Sequence, residues 1–229
     1  MTAPDACGGR RRFCFFDLDG TLADTDPDIR GAWKAAIAEL GLECPAFDER
    51  FVAGPPFDEM ARTLFPDRFT QGLADEIRRR FAAHYDGDGF PGTREYPGVL
   101  DEVRRLKAEG RVVAIVTNKR FAGATAMAGR FGWDEVFDGV FAGDMFADPA
   151  VAAGFGMPPG KARKPELLAA VMRRFGAAPA ECALVGDTAN DFEAAAANGV
   201  LSVGVAWGYG TEDELARADV ICRALPFPL

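Results

Sequence analysis

The sequence is poor in basic charge and has no long apolar run. It has 26 Lys and Arg residues and 35 Asp and Glu residues, so the formal net charge is -9 over 229 residues. A general affinity for nucleic acid is therefore excluded, because it requires a basic face. No apolar run approaches the roughly 20 residues needed to cross a bilayer. The basic residues Arg10 to Arg12 are followed by only four apolar residues before Asp17, which is no signal peptide. We expect a cytoplasmic protein with no nucleic-acid or membrane partner.

Clustered cysteine and histidine are also lacking. The five cysteines are scattered, include no CxxC pair and are odd in number. They are Cys7, Cys14, Cys44, Cys182 and Cys222. This usage favours reduced structural thiols and gives little support to a redox or zinc role. The single histidine, His84, ends a predicted helix, where a solvent-facing side chain is more typical than an acid/base role.

Residues 22–93 carry helix patterns and no convincing strand. Apolar residues at helical spacing predict a helix from Asp26 to Leu40, with Pro27 in its first turn. Further helices are predicted from Asp58 to Leu64 and from about Leu73 to Tyr85, and residues 86–92 read as a flexible connector. Trp33 and Phe81 lie on apolar stripes, which places them in the core of a small helical bundle.

The rest of the chain alternates short apolar runs with helices. Strands are predicted at Phe13–Phe16, Val112–Thr117, Val136–Ala142 (weaker), Ala183–Val185, Val200–Val205 and Val220–Ile221. One helix is marked by Leu100, Val103 and Leu106 and ends at Gly110, and others are predicted at Gly123–Phe131, Pro165–Phe175, Phe192–Asn198 and Glu212–Arg217. Continuous apolar strands between helices indicate an α/β fold with a doubly wound, mostly parallel sheet. We expect a core of residues 1–21 and 94–229, with an all-helical domain, residues 22–93, inserted after the first strand.

Ligands of such sheets lie beyond the carboxyl ends of the strands, where the first strand is followed by two acids. The run is Asp17-Leu18-Asp19-Gly20-Thr21. Carboxylates that converge repel each other, and a cation between them relieves the repulsion. Oxygen ligands of this kind suit magnesium. An acidic turn with a helix-capping Asp is the equally weighted alternative for this run alone.

Polar residues follow other predicted strands, but each group is ambiguous by itself. Thr117-Asn118-Lys119 offers a hydroxyl and backbone N–H groups for phosphate oxygens, although such residues often end strands. Lys164 precedes Pro165 at a helix start, a favourable place for an anion, and Lys161 is a nearby competitor. A second acidic group, Gly186-Asp187 with Asp191, follows another strand; Asp191 as a helix cap is the alternative.

Together, in this order, these groups resemble the four motifs of the haloacid dehalogenase superfamily. The resemblance covers nearly the whole chain, and the helical insert is similar to the helical cap of that family. A finer resemblance is to the phosphoglycolate phosphatase-like subgroup. It rests on Gly54-Pro55-Pro56, Thr117-Asn118-Lys119 and Trp207-Gly208-Tyr209-Gly210. One departure is the segment Asp144–Arg163, which is longer than expected and leaves open whether Lys164 or Lys161 reaches the site.

The resemblance implies a magnesium-dependent phosphomonoester hydrolase acting on a small phosphorylated metabolite. It implies that Asp17 is the nucleophile, Asp19 the general acid/base and Lys164 the residue that fixes Asp17 and neutralises phosphate. The implied substrate-binding residues are Thr117, Asn118, Gly20 and Thr21. The implied Mg2+ ligands are Asp17, Asp187 and the backbone carbonyl of Asp19, and Asp191 is implied to orient Lys164 or a metal-bound water.

Other functions remain as alternatives. A phosphosugar mutase on the same scaffold would need a base from the cap, for which His84 is a poor candidate. A dehalogenase would have no use for Asp19, and a phosphonatase would need a cap lysine, which only Lys34 supplies. A catalytically silent regulatory protein is the non-enzyme alternative. Phosphoglycolate, sugar phosphates and nucleoside monophosphates all remain possible substrates, and the protein is expected to be a monomer or a homodimer.

Overall fold

The computed structural model describes residues 11–229 of the chain. It divides into two compact units: residues 24–94, here the helical unit, and the chain on either side of it, here the sheet unit. The boundaries proposed from the sequence lie within two residues of these. No helix of the described part is long and apolar enough to span a membrane.

The strands and helices follow each other in the order expected of an α/β chain with an insert. The strands are β1 (Phe13–Phe16), β2 (Ala23–Asp24), β3 (Arg94–Glu95), β4 (Val112–Thr117), β5 (Val140–Ala142), β6 (Cys182–Gly186), β7 (Leu201–Val205) and β8 (Val220–Cys222). The helices are α1 (Asp26–Glu39), α2 (Phe47–Arg50), α3 (Phe57–Leu64), α4 (Gln71–Gly87), α5 (Val99–Ala108), α6 (Phe121–Phe131), α7 (Pro149–Gly154), α8 (Lys164–Phe175), α9 (Ala189–Asn198) and α10 (Glu212–Leu215).

The sheet unit is built on six strands in the order β5-β4-β1-β6-β7-β8. All of their pairings are parallel, so the predicted parallel sheet is confirmed. Phe16 of β1 lies opposite Ile115 of β4 on one side and Val185 of β6 on the other. Strands β4 and β5 lie on one side of β1, and β6, β7 and β8 lie on the other. The carboxyl end of β1 is therefore the switch point where such sheets bind ligands.

The fold corrects several sequence predictions. Residues 22–93 were predicted to lack strands, but β2 lies there and pairs with β3. The short helices α2 and α7 were not predicted, because four to six residues are too few to show a helical period. The weak strand predicted at Val136–Ala142 is shortened to β5, since the N–H groups of Val136 and Phe137 donate to the carbonyl of Trp133 and close the 3-10 turn before it.

Each unit has its own apolar core. In the helical unit Trp33 is buried and stacks on Phe57 with 4.1 Å between the ring centroids, and Phe81 packs at its side. The predicted core placement of Trp33 and Phe81 is thus confirmed. In the sheet unit, residues of β1, β4 and β6 pack with α8 and α9 in one cluster. This packing fixes the strand ends that carry the polar residues.

The long segment before Lys164 is folded onto the sheet unit. It forms a 3-10 turn at Gly143–Ala147 and the helix α7, whose first N–H groups are capped by Asp148. Phe146, Ala152 and Ala162 from this segment belong to the buried cluster. The segment therefore lengthens the apolar core and carries the chain to the start of α8.

The described cysteines are free thiols, as the sequence predicts for reduced structural cysteines. Cys14, Cys182 and Cys222 are buried, and Cys44 is partly buried. Burial raises the pKa of each thiol, which makes the reactive thiolate rarer. Cys7 lies outside the described residues.

Candidate active site

Asp17 stands at the carboxyl end of the central strand. Its backbone N–H donates to the carbonyl of Val185 at 2.8 Å, which holds it beside β6. Only 8% of the residue is exposed. The side chain therefore has a fixed position at the switch point of the sheet, in contact with little water.

Lys164 reaches Asp17 from the first turn of α8. Its Nζ lies 2.7 Å from Asp17 Oδ1 and 2.5 Å from Asp191 Oδ1. Lys164 is 3% exposed, whereas Lys161 is exposed at the surface. Pro165 fixes where α8 begins, and the Glu166 side chain accepts a hydrogen bond from the backbone N–H of Arg163 at 2.8 Å, which caps the first turn. Of the two candidate lysines, Lys164 is the one brought to the carboxylates.

Asp187 follows β6 and is fully buried. It accepts hydrogen bonds from Thr21 Oγ1 at 3.2 Å and from the backbone N–H of Tyr209 at 2.7 Å. Asp191 sits one turn into α9 and accepts from the N–H and hydroxyl of Thr188 at 3.2 and 3.1 Å. Thr188, not Asp191, is thus the residue that precedes the helix, and Asp191 closes a capping box from inside it.

The three acids form one buried cluster. Oxygen atoms of Asp17, Asp187 and Asp191 lie within 4.8 Å of one another. Burial raises the pKa of the Asp17 carboxyl to about 6, although the Lys164 ammonium acts to lower it. Burial, and then the charges of Asp191 and Asp17, raise the pKa of Asp187 well above its usual value. One lysine is too little positive charge for three buried carboxylates, so this oxygen donor set fits a divalent cation.

Two glycines make room for Asp187, and sequence reasoning assigned that role to neither. A Cβ on Gly208 would lie 2.5 Å from Asp187 Oδ2, and one on Gly20 would overlap the same carboxylate. Gly20 also has a φ of +76°, which other residues rarely adopt. The Trp207 indole donates to the carbonyl of Thr21 at 3.2 Å, so the segment Trp207–Gly210 encloses both the Gly20 turn and Asp187.

We predict that Gly208→Ala weakens binding of a divalent cation by on the order of tenfold or more, because the added methyl group must displace Asp187. Titration calorimetry with Mg2+ measures the change. Gly129→Ala on α6 is the matched control, since nothing lies within 4 Å of its Cβ position. Unchanged cation affinity in Gly208→Ala would show that Asp187 does not need this space.

Asp19 and the residues after β4 form the other side of the site. Asp19 Oδ1 lies 2.8 Å from Nζ of Lys119. Lys119 belongs to the Thr117-Asn118-Lys119 motif, but no role of its own was predicted for it from the sequence. Thr117 is buried at the end of β4, and its hydroxyl accepts from the N–H of Lys119 at 3.2 Å. Asn118 is exposed beside it.

The turn after Asp19 is closed by its own hydrogen bonds. The N–H groups of Gly20 and Thr21 donate to the carbonyls of Ala23 and Leu18 at 2.9 and 3.2 Å. The Thr21 hydroxyl donates to Asp187, as described above. Gly20 and Thr21, expected to bind substrate, are therefore engaged in shaping the turn and in holding Asp187.

Sheet order and site together define a hydrolase class. Its features are a buried carboxylate at the end of the central strand, a buried lysine beside it and a cluster of acids able to hold a cation. The chain matches the haloacid dehalogenase-like hydrolase family over residues 12–199. It belongs to that family, and the predicted family and the predicted class of enzyme, a phosphatase, are confirmed.

Several named proteins are similar to this chain in sequence or in structure. The chain is 32% identical to a probable phosphatase IndB of Dickeya dadantii, over 89% of this chain and 85% of that protein. It is 31% identical to a phosphoglycolate phosphatase of Neisseria meningitidis, over 92% and 89%. It is 28% identical to a 5'-nucleotidase of Pseudomonas aeruginosa, over 87% and 85%. A haloacid dehalogenase-like protein of Streptococcus pneumoniae has a structure with TM-score 0.76 and 23% identity, covering 93% of this chain and 94% of that one.

Proposed function

We propose that this chain hydrolyses phosphomonoesters of small metabolites in a magnesium-dependent reaction through an aspartyl-phosphate on Asp17. The observation that carries the proposal is the contact of 2.7 Å between Lys164 Nζ and Asp17 Oδ1, inside a cluster with Asp187 and Asp191. A carboxylate at a strand end that meets both a buried ammonium and a cation-binding oxygen set is suited to attack an anionic phosphate.

In the first step an oxygen of Asp17 attacks phosphorus, and the bond from phosphorus to the ester oxygen breaks. Asp19 gives its proton to the departing oxygen, so the alcohol leaves neutral. In the second step a water attacks the same phosphorus, and Asp19 takes a proton from that water. The bond between Asp17 and phosphorus breaks, which frees orthophosphate and restores the Asp17 carboxylate.

Charge around the transferring group is balanced by residues from other strand ends. Lys164 faces Asp17 and would also meet a phosphate oxygen; Asp191, bound to Lys164 at 2.5 Å, keeps the ammonium in place. The hydroxyl of Thr117 and the N–H of Asn118 are proposed to bind the remaining oxygens. Two carboxylates from different elements thus align one lysine, which limits its motion during both steps.

The residues that would hold Mg2+ are Asp17, Asp187 and, through its backbone carbonyl, Asp19. When bound, the ion offsets the repulsion between an anionic nucleophile and an anionic substrate. Asp191 is proposed to stay outside this ligand set, because its oxygens already face Lys164 and Thr188.

Release of orthophosphate from a panel of esters tests the function. The panel is 2-phosphoglycolate, glucose 6-phosphate, AMP and p-nitrophenyl phosphate, each with Mg2+ and with a chelator. We expect release from at least one ester, loss with the chelator and recovery when Mg2+ is restored. An isomerised sugar phosphate made only with a bisphosphate activator would indicate the mutase. Absence of turnover on every ester would support the silent protein.

The pH dependence of magnesium binding is a further prediction. The pKa of Asp17 rises from 3.8 to about 6 on folding, so the folded metal-free site binds protons more tightly than the unfolded chain. Stability from this group is therefore present at low pH and lost as the pH rises through about 6. Protons and Mg2+ compete for the same oxygens, so protonation of Asp17 alone should lower Mg2+ affinity by up to about tenfold for each pH unit below this pKa. Protonation of Asp187, whose pKa is also raised, should make the fall steeper.

Thermal unfolding with and without Mg2+, repeated from about pH 8 to about pH 5, measures this competition. The stabilisation by Mg2+ should shrink as the pH falls. Asp187→Asn, which removes the second strongly proton-binding carboxyl, should bind Mg2+ weakly and with a shallower pH dependence. A stabilisation that stays constant with pH would contradict the proposed ligands.

Two observations bear on the class of substrate. Relatives at 31% and 28% identity carry the names phosphoglycolate phosphatase and 5'-nucleotidase. The panel therefore includes 2-phosphoglycolate and the nucleotide AMP. The only lysine of the helical unit, Lys34, forms an ion pair of 2.8 Å with Asp48 and is half exposed. Its engagement in this pair gives no support to a Schiff-base phosphonatase.

A further inference from the structure

We propose that Lys119 is a positioning residue that holds one oxygen of Asp19, so that the other oxygen exchanges the proton with the leaving group and the water. This inference rests on the proposed function, in which Asp19 is the general acid/base. The two-step mechanism gives the Lys119 ammonium, whose side chain is nearly buried, no other role.

The contact itself is well defined. Lys119 Nζ lies 2.8 Å from Asp19 Oδ1, and the two side chains are 6% and 23% exposed. A lysine side chain loses much rotamer freedom when it is enclosed, so a nearly buried lysine on a loop indicates a specific partner. The partner here lies 100 residues away in the sequence.

The positions of both residues follow from the sheet. Asp19 follows β1 and Lys119 follows β4, and these strands are parallel neighbours. Their carboxyl ends therefore open at the same edge. The Thr117 hydroxyl accepts from the Lys119 N–H at 3.2 Å, which bends the chain immediately after β4. The turn that offers Thr117 and Asn118 to phosphate thus also sends Lys119 toward Asp19.

The chemistry of an ammonium group separates the two oxygens of Asp19. An ammonium has three donors and no acceptor, so the oxygen that faces it accepts a hydrogen bond and carries no proton. The proton of the acid form then belongs on Oδ2. The leaving oxygen departs from, and the water arrives at, the same side of phosphorus, opposite Asp17. One fixed orientation of Asp19 therefore serves both steps.

Two aryl esters test this role: phenyl phosphate and p-nitrophenyl phosphate, which have the same ring. Phenoxide is the poorer leaving group and needs the proton from Asp19 more. We expect Lys119→Met to lower kcat/KM for phenyl phosphate by about tenfold or more and for p-nitrophenyl phosphate by less than about threefold. The ratio kcat/KM is used because it includes departure of the leaving group and excludes the later hydrolysis, which is common to both esters.

Further variants separate positioning from a general loss of structure. Lys119→Arg keeps donors beside Asp19 and should keep the kcat/KM ratio of the two esters closer to that of the wild type. Lys107→Met removes an ion pair of 2.9 Å with Asp138 at the surface of the same unit and should change neither ester. In Asp19→Asn, adding Lys119→Met should have little further effect, because Lys119 acts through Asp19.

The outcomes are distinguishable. An equal loss on both esters in Lys119→Met, with a raised inhibition constant for orthophosphate, would overturn the inference and make Lys119 a phosphate-binding residue. A difference between the esters in Asp19→Asn but not in Lys119→Met would also overturn it, with the proposed function intact. No difference in Asp19→Asn would instead refute the acid role of Asp19 in the proposed function. If Lys119→Met fails to fold, the same comparison is made with Lys119→Gln and Lys119→Arg.

Discussion

Asp17→Asn is expected to abolish turnover while the protein stays folded. The amide has nearly the shape of the carboxylate but is a poor nucleophile and a weaker cation ligand. Loss of a covalent nucleophile lowers kcat by on the order of 10⁴-fold or more. The fold should persist because Asp17 is held by its backbone N–H to Val185 at 2.8 Å, which the substitution leaves in place.

Orthophosphate release measures the loss of turnover, and circular dichroism and thermal unfolding show whether the protein stays folded. Asp101→Asn is the matched control, since the Asp101 side chain is 82% exposed and lies outside the site. The control should have the activity of the wild type. An Asp17→Asn protein that keeps full magnesium-dependent activity would remove Asp17 from the nucleophile's role.

Lys164→Met is expected to lose both activity and stability. Lys164 is 3% exposed and is the cation for two carboxylates, at 2.7 and 2.5 Å. Removing one partner of a buried ion pair costs about 3–5 kcal/mol, because the charge left behind has no compensation. Loss of one charged group that stabilises the transition state lowers kcat by on the order of 10³-fold. The destabilisation should be smaller near pH 5, where Asp17, whose pKa is about 6, becomes protonated.

Lys161→Met provides the comparison three residues earlier in the chain. Lys161 is exposed, so its removal should leave the free energy of unfolding and kcat unchanged. Chemical denaturation and phosphate release measure both quantities. Equal effects in the two variants, or a larger effect at Lys161, would contradict the assignment of Lys164 to the site.

Much of the fold and of the candidate site could be predicted from the sequence, for a physical reason. Buried parallel strands are continuous apolar runs, so β1, β4 and β6 stand out together with the polar residues that follow them. Because parallel strands end at one edge, Asp17 and Asp187 could be expected near each other from the sequence, and the family resemblance added Lys164 to them. The structure adds that Lys164 is buried beside these acids, whereas Lys161 is exposed at the surface.

What the sequence did not reveal depends on contacts between distant segments. Lys119 looked like the end of a phosphate-binding motif, and its pairing with Asp19 appears only when β4 lies beside β1. Gly208 looked like part of a family signature, and its closeness to Asp187 needs the chain beyond β7 to fold back over β6. Short elements such as α7 escape because a few residues carry no period.

The most direct test of the central claim is to trap the phosphorylated protein. Wild-type protein and Asp19→Asn are mixed with p-nitrophenyl phosphate and Mg2+, quenched in acid and digested with pepsin at acid pH, where an acyl phosphate survives. The fragment that contains Asp17 is then sequenced by mass spectrometry. We expect one phosphoryl group on Asp17, and we expect it to accumulate in Asp19→Asn because the second step lacks its base. Release of orthophosphate with no phosphoryl group on this fragment, or with the group on another residue, would contradict this expectation.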